Sequence, residues 1–220
     1  YPSFAVGRTQ ELLARLNDLV EGGRLKGLRV FVDSPMAVAA TKAFALHQDA
    51  YAEPMQKLIE AGDAPLTFEG LKLVTSVEDS IALNHSTDPA VIIAASGMCT
   101  AGRVKHHLKF NVSNARNTVL FVGYQAQGSL GRVIQNGTSP VRIFGRWYPV
   151  NAEIETGEEF SAHAGRDELI EWFESFGTPP TRTFVVHGEE DAALSFAQTL
   201  EQRFGATVTV PQRGEAVDLS

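Results

Sequence analysis

Two short runs made almost wholly of apolar residues, Ala90-Val91-Ile92-Ile93-Ala94-Ala95 and Thr118-Val119-Leu120-Phe121-Val122, each lead straight into a glycine-containing loop. A strand with one wet face alternates apolar and polar residues, whereas a strand without alternation is covered on both faces, as in the middle of a parallel sheet. The first run feeds Ser96-Gly97-Met98 and then a helix over about 102–110. The second feeds Gly123-Tyr124-Gln125-Ala126-Gln127-Gly128-Ser129. Around them helices and strands take turns. Leu12, Leu13, Leu16, Leu19 and Val20 recur at helical spacing, which predicts a helix over 9–21 stopped by Gly22-Gly23. Residues 28–32 read as a strand and 37–50 as a helix opened by Asp33-Ser34-Pro35, with Asp33 as the cap. Helices over 52–63 and 77–84, the latter capped by Ser76, flank a short strand at 71–74. The expected class is α/β with a doubly wound, mostly parallel sheet.

After Gly137-Thr138-Ser139-Pro140 the texture changes to alternation, with Val141, Ile143 and Phe144 followed by Val150, Ala152 and Ile154. This predicts a small antiparallel element and a boundary, so that 1–6 is a lead-in, 7–145 a first domain and 146–220 a second. The second holds a helix over 166–176, a strand over 183–186, a helix over 191–204 and a last strand over 208–210.

Composition excludes more than it selects. A formal charge of −7 argues against whole-chain attraction to nucleic acid or anionic lipid, so any nucleic-acid site is a local patch. No apolar run approaches the roughly 20 residues of a membrane span. The single cysteine, Cys99, cannot form an internal disulfide, which suits a reducing, cytoplasmic setting. The opening Tyr1-Pro2-Ser3-Phe4 has neither the charged start nor the apolar core of a signal peptide and reads as a segment of a longer protein.

Two histidine peptides carry the chemistry. In Phe160-Ser161-Ala162-His163 the imidazole and the serine hydroxyl precede a helix, where free backbone N–H groups favour an anion. The alternative is that Ser161 and His163 simply cap that helix. In Val185-Val186-His187-Gly188-Glu189-Glu190 the histidine ends a strand, and neutral imidazole is the commonest metal ligand. A lone histidine is also often structural, and no His-x-His or His-x-x-x-His cluster accompanies it. The Ser96 to Arg103 loop is neither a Walker sequence nor a dinucleotide fingerprint, yet Gly97 and Arg103, with Lys105, His106 and His107, are suited to a phosphate. Gln125 and Arg132 offer polar contacts beside Gly123, Gly128 and Gly131. Cys99 has no partner base by pattern, so it is not read as a nucleophile.

Taken together, Phe4-Ala5-Val6-Gly7-Arg8-Thr9-Gln10-Glu11-Leu12-Leu13, Asp33-Ser34-Pro35-Met36-Ala37, Ser96-Gly97-Met98, Gly123-Tyr124-Gln125 with Gly128, Ser161-Ala162-His163-Ala164 and Val186-His187-Gly188-Glu189 resemble the beta-CASP branch of the metallo-beta-lactamase superfamily. That branch includes the messenger-RNA 3′-end processing nuclease and its bacterial and archaeal relatives. The resemblance runs the length of the chain. It implies that 1–6 ends an N-terminal lactamase part, that 7–145 is the beta-CASP domain, and that 146–220 is the C-terminal portion of an αββα lactamase fold. It implies a zinc-dependent ribonuclease that hydrolyses RNA phosphodiester bonds by a two-metal mechanism. By the same resemblance His187 ligates zinc, His163 assists at the scissile phosphate and Ser161 contacts it. Gly97, Arg103, Gln125 and Arg132 are the expected RNA-binding residues. DNA-cutting relatives usually carry valine at the position of His187, which favours RNA.

The pattern departs in two places. Gly165 stands where the family often has aspartate, with Asp167 two places on. The His-x-His-x-Asp-His cluster and the other zinc ligands fall outside this chain, so two zinc ions are expected in the intact protein and none, or weak binding, here. The partners implied are RNA, the upstream lactamase segment and, left open, a second copy in a homodimer; a membrane is not among them. Two competing readings remain. One is an RNA-binding lobe without catalysis that grips through Arg103, Lys105, His106 and Arg132. The other is a small-molecule α/β domain using the Gly97 or Gly123 loops.

Overall fold

The computed structural model describes residues 1–157 and 163–218, in two compact units, residues 1–160 and 161–220. In the first unit, helix α1 (Arg8–Glu21) buries Leu12, Leu13 and Leu16, and its first turn is closed by the Gly7 N–H donating to Gln10 Oε1 at 2.7 Å. Strand β1 (Val30–Asp33) is buried along its whole length. It is the middle strand of a parallel sheet, between β2 (Leu71–Val74) and β3 (Val91–Ile93). Helices α2 (Pro35–Leu46), α3 (Glu53–Glu60) and α4 (Val77–His85) connect them. Ser34, not Asp33, caps α2 by accepting the Ala37 N–H at 3.3 Å, with Pro35 in the first turn. The expected cap at Asp33 is corrected: its side chain turns inward. The expected helix over 37–50 ends at Leu46, and a separate 3₁₀ turn follows at Gln48–Ala50.

Helix α5 (Arg103–Asn111) leads to β4 (Thr118–Phe121), then to α6 (Leu130–Gln135) and a two-stranded hairpin, β5 (Val141–Ile143) with β6 (Arg146–Tyr148). Helix α6 was hidden in the sequence by the glycines before it; Ser129 opens it by accepting the Arg132 N–H at 3.2 Å. The hairpin is antiparallel as expected, but the apolar pair Ala152 and Ile154 is not part of it. Ile154 lies in β7 (Glu153–Thr156), which returns to pair in parallel with β4. That pairing holds 153–156 in the first compact unit. Two apolar cores fill this unit. One gathers Leu13, Val30, Val32, Ile93 and Val122; the other gathers Val104, Leu108, Phe121, Ile134, Val141 and Ile143.

The second unit is smaller. Helix α7 (Arg166–Glu174) and helix α8 (Glu190–Phe204) pack around Phe173, Leu200 and Ala206, beside the parallel pair β8 (Thr183–Phe184) and β9 (Val208–Thr209). Gly205 ends α8 in the left-handed conformation that L-residues avoid.

Phe121 is fully buried in the second core of the first unit. Phe121→Ala is expected to cost about 3–5 kcal/mol in urea unfolding. Met36→Ala, at a side chain 67% exposed, should change stability by less than about 0.5 kcal/mol.

Candidate functional site

Parallel strands place ligand-handling loops beyond their carboxyl ends, because the backbone leaves the sheet there and side chains of the loops converge. The loop after β3 and the loop after β4 meet in this way. Gln125, 1% exposed, donates from Nε2 to the Gly97 carbonyl at 2.9 Å and to the Gly123 carbonyl at 3.0 Å. The Gly131 N–H donates to the Met98 carbonyl at 3.1 Å, tying α6 to the same loop. Arg132, one residue on, has its guanidinium 5.7 Å from the centre of the exposed Tyr124 ring. Gly97, Gln125 and Arg132 are therefore neighbours, but Gly97 and Gln125 are buried, so as placed Gln125 does not offer the expected contact to a ligand. Two glycines are needed by contact and not by backbone angle. A Cβ on Gly97 would stand 2.8 Å from the Phe4 ring, and one on Gly131 would stand 1.7 Å from Gln125 Oε1. That Oε1 is buried and accepts no hydrogen bond. Gln125 thus acts first as the clasp between the two loops. Cys99, buried at φ +58 within the first loop, has its thiol pushed up to about 12 by burial, which fits its reading as an inert residue.

Arg103 is placed otherwise than expected. Its Nη1 lies 2.6 Å from Asp33 Oδ1, and its Nη2 donates to the Thr75 carbonyl at 2.7 Å. The guanidinium faces the body of the unit, so as placed it is not presented to a nucleic acid. Asp33 is the group that sequence reasoning undervalued. Fully buried at the end of β1, its Oδ2 accepts the Ser80 hydroxyl at 2.5 Å and lies 2.6 Å from His107 Nε2. His107 Nδ1 is 2.8 Å from Asn84 Oδ1. Burial pushes the Asp33 carboxyl up, but hydrogen bonds from His107, Ser80 and Arg103 outweigh it, and the net shift is downward. The signal available was the type of residue: an acid closing a wholly apolar strand needs partners, and two side chains able to donate to it sit on one helix at Arg103 and His107.

In the second unit, His163 and His187 are both exposed. His187 follows β8 at φ +64, a left-handed backbone that glycine or asparagine adopts with less strain. Ser161 lies outside the described residues. Among the described residues no three His, Cys, Asp or Glu are gathered as a metal centre requires. A cleft of about 880 Å³ in the first unit, lined by Asn84, Ile92, His107, Phe110 and Thr118 among others, includes His107 but not Gly97, Arg103, Gln125 or Arg132. Among the described residues no helix is long and apolar enough to cross a membrane.

Residues 9–134 match the sequence pattern of the Beta-Casp domain. The chain belongs to the beta-CASP family. Within this beta-CASP chain, residues 147–211 match a second pattern, the Zn-dependent metallo-hydrolase RNA specificity domain. A ribonuclease of Thermus thermophilus is 40% identical over 98% of this chain and 48% of its own length. A transcription termination factor, FttA, of Methanocaldococcus jannaschii is 34% identical over 98% of this chain and 35% of its own. An RNase J-like protein of the same organism is 29% identical over 97% of this chain and 48% of its own. The chain therefore spans about half the length of the first relative and about a third of the second. The match beginning at residue 147 falls close to the expected start of the second domain, while compactness divides the chain later because β7 is held by β4.

Two outcomes test this geometry. Asp33→Asn removes the charge that Arg103 and His107 share, and should cost about 3 kcal/mol at pH 7. Because the folded carboxyl lies below its unfolded value of about 3.9, its contribution is complete above that value and is lost as pH falls toward the folded one. Stability curves of the parent and Asp33→Asn should therefore converge in acid; parallel curves would show that the carboxylate is not depressed. Gly131→Ala should destabilise by collision with Gln125. In Gln125→Ala/Gly131→Ala the collision is gone, so thermal melting should show a loss smaller than the two single losses combined.

Proposed function

We propose that this beta-CASP chain is the RNA-handling portion of a zinc-dependent ribonuclease that cuts phosphodiester bonds by a two-metal mechanism, and that it completes a metal centre it does not contain. The observation that carries the reading is that His163 and His187 both lie inside 147–211, the segment matching the RNA specificity domain of Zn-dependent metallo-hydrolases. The ribonuclease and termination-factor names of its relatives support RNA as the substrate class.

The described residues do not by themselves fit a zinc centre. They supply His187 and no group of three ligands around it. His187 is then one ligand among several, the others coming from outside the described residues, in a metallo-beta-lactamase segment of the same protein. The left-handed backbone at His187 supports this role, since an imidazole is kept where a glycine would be relaxed. His163 would give a proton to, or stabilise charge on, the departing oxygen. Ser161 would contact the phosphate. The loops clasped by Gln125, with Arg132 beside them, would make a contact of their own with RNA, and Arg103 would act as a positioning residue through Asp33. The cytoplasm is the compartment proposed, supported by the lone, buried Cys99. The missing three-ligand group favours a second reading for this chain alone, an RNA-binding lobe without catalysis.

Elemental analysis of this chain beside His187→Ala tests the metal assignment. Zinc well below one equivalent is expected for both. Near-stoichiometric zinc lost in His187→Ala would mean that the chain builds its own site and that the proposal of a shared centre is wrong. In a longer protein that includes the lactamase segment, RNA cleavage should appear, and His163→Ala should slow it by about 10²–10⁴-fold at unchanged RNA affinity.

A further inference from the structure

The acidic residues of this chain are unevenly placed. From position 89 to 152 there is no Asp or Glu, while seven Lys and Arg stand there: Arg103, Lys105, Lys109, Arg116, Arg132, Arg142 and Arg146. All 26 acids lie elsewhere, with the other 12 Lys and Arg. The net charge of −7 is thus the balance of +7 in this stretch and −14 outside it. Helix α5, β4, α6 and the β5–β6 hairpin share one core; Asp33 takes Arg103 and the acids of β7 lie beside β4, so the remaining cations of α5 and those of the hairpin are the ones set apart from acids.

The hairpin presents aromatic rings within this cationic region. Val141 and Ile143 face the core, so by alternation Arg142 and its cross-strand partner Trp147 face away from it. Trp147 is 65% exposed. At the tip, Phe144 is 51% exposed and held at φ +47, an unusual backbone for a bulky residue in a turn. Its ring lies 4.7 Å from that of His106, and Lys105 Nζ is 4.8 Å from its centre. Stacking faces interleaved with cations are what a single-stranded nucleic acid binds, bases on the rings and phosphates on the cations.

We infer that Phe144 and Trp147, with Lys105, His106 and Arg142, form a docking surface for single-stranded RNA, separate from the loops clasped by Gln125. This rests on the RNA reading above and extends it with a second contact surface. Charge complementarity selects the occupant: a polyanion is attracted to this acid-free stretch, and the rings favour a strand with free bases over a duplex whose bases are stacked away.

The test is fluorescence anisotropy of a labelled 12-nucleotide oligouridylate with the chain, across a salt series, with folding checked by circular dichroism. Phe144→Ala/Trp147→Ala should weaken binding by about tenfold or more. Lys105→Gln/Arg142→Gln should reduce the slope of log affinity against log salt by about 0.7 for each cation removed. A matched RNA duplex should bind more weakly than the single strand. If the parent binds and Arg132→Gln weakens it while both hairpin variants bind unchanged, the RNA reading stands and this surface is overturned. If the parent binds no RNA at all, both fall for this chain. If sedimentation shows a dimer that the hairpin variants dissolve while RNA affinity is unchanged, the surface joins two copies and the inference is overturned.

Discussion

The Asp33 carboxylate is the tie on which the first unit depends. It closes β1 and is reached by Ser80 from α4 and by Arg103 and His107 from α5. These elements are far apart in sequence, and β1 and α5 belong to different apolar cores. A buried carboxylate is tolerated only when its hydrogen-bonding capacity is filled, so the charge fixes where α4 and α5 sit relative to the sheet. Apolar packing alone would allow α5 to slide along its groove. Three directed bonds to one carboxylate allow one position, and that position sets the loop that precedes α5, with Gly97 in it.

Much of this was legible in the chain. The runs at 90–95 and 118–122 announced parallel strands, but β3 and β4 are only partly buried and the covered middle place in the sheet falls to β1, whereas the helical spacing of Leu12, Leu13 and Leu16 announced α1. What could not be read were relations made by the fold. Ile154 looks like part of an alternating hairpin because periodicity records only that one face is buried, not which strand lies beside it; β4 is the neighbour it finds. Helix α6 was lost because the glycines before it read as turns. Gly131 is a contact requirement of the Gln125 clasp, which no local pattern encodes.

The candidate site shows the same division. His163 and His187 were singled out because a histidine at a strand or helix end is a local signal, and Gln125 with Gly97 because both are on loops following apolar strands. Arg103 was assigned to RNA because it is basic and follows a glycine-rich loop. Its partner stands on a strand 70 positions earlier, and a cation that neutralises a buried acid looks in sequence no different from one that faces solvent. Whether a charge is internal or external is a property of the tertiary structure.

The unequal placement of acids has a kinetic side. Within the first unit, positions 1–88 carry twelve acids and eight Lys and Arg, whereas 89–152 carry only cations. Separation of the two stretches in space would make such a body an electric dipole. A long polyanion approaching it feels a torque as well as a force, so the acid-free part is turned toward the strand before any contact forms. A polyanion would in this way be met in a preferred orientation even by a chain of negative net charge. Raising ionic strength past the point where the Debye length is shorter than the unit would then randomise the encounter before it abolishes binding.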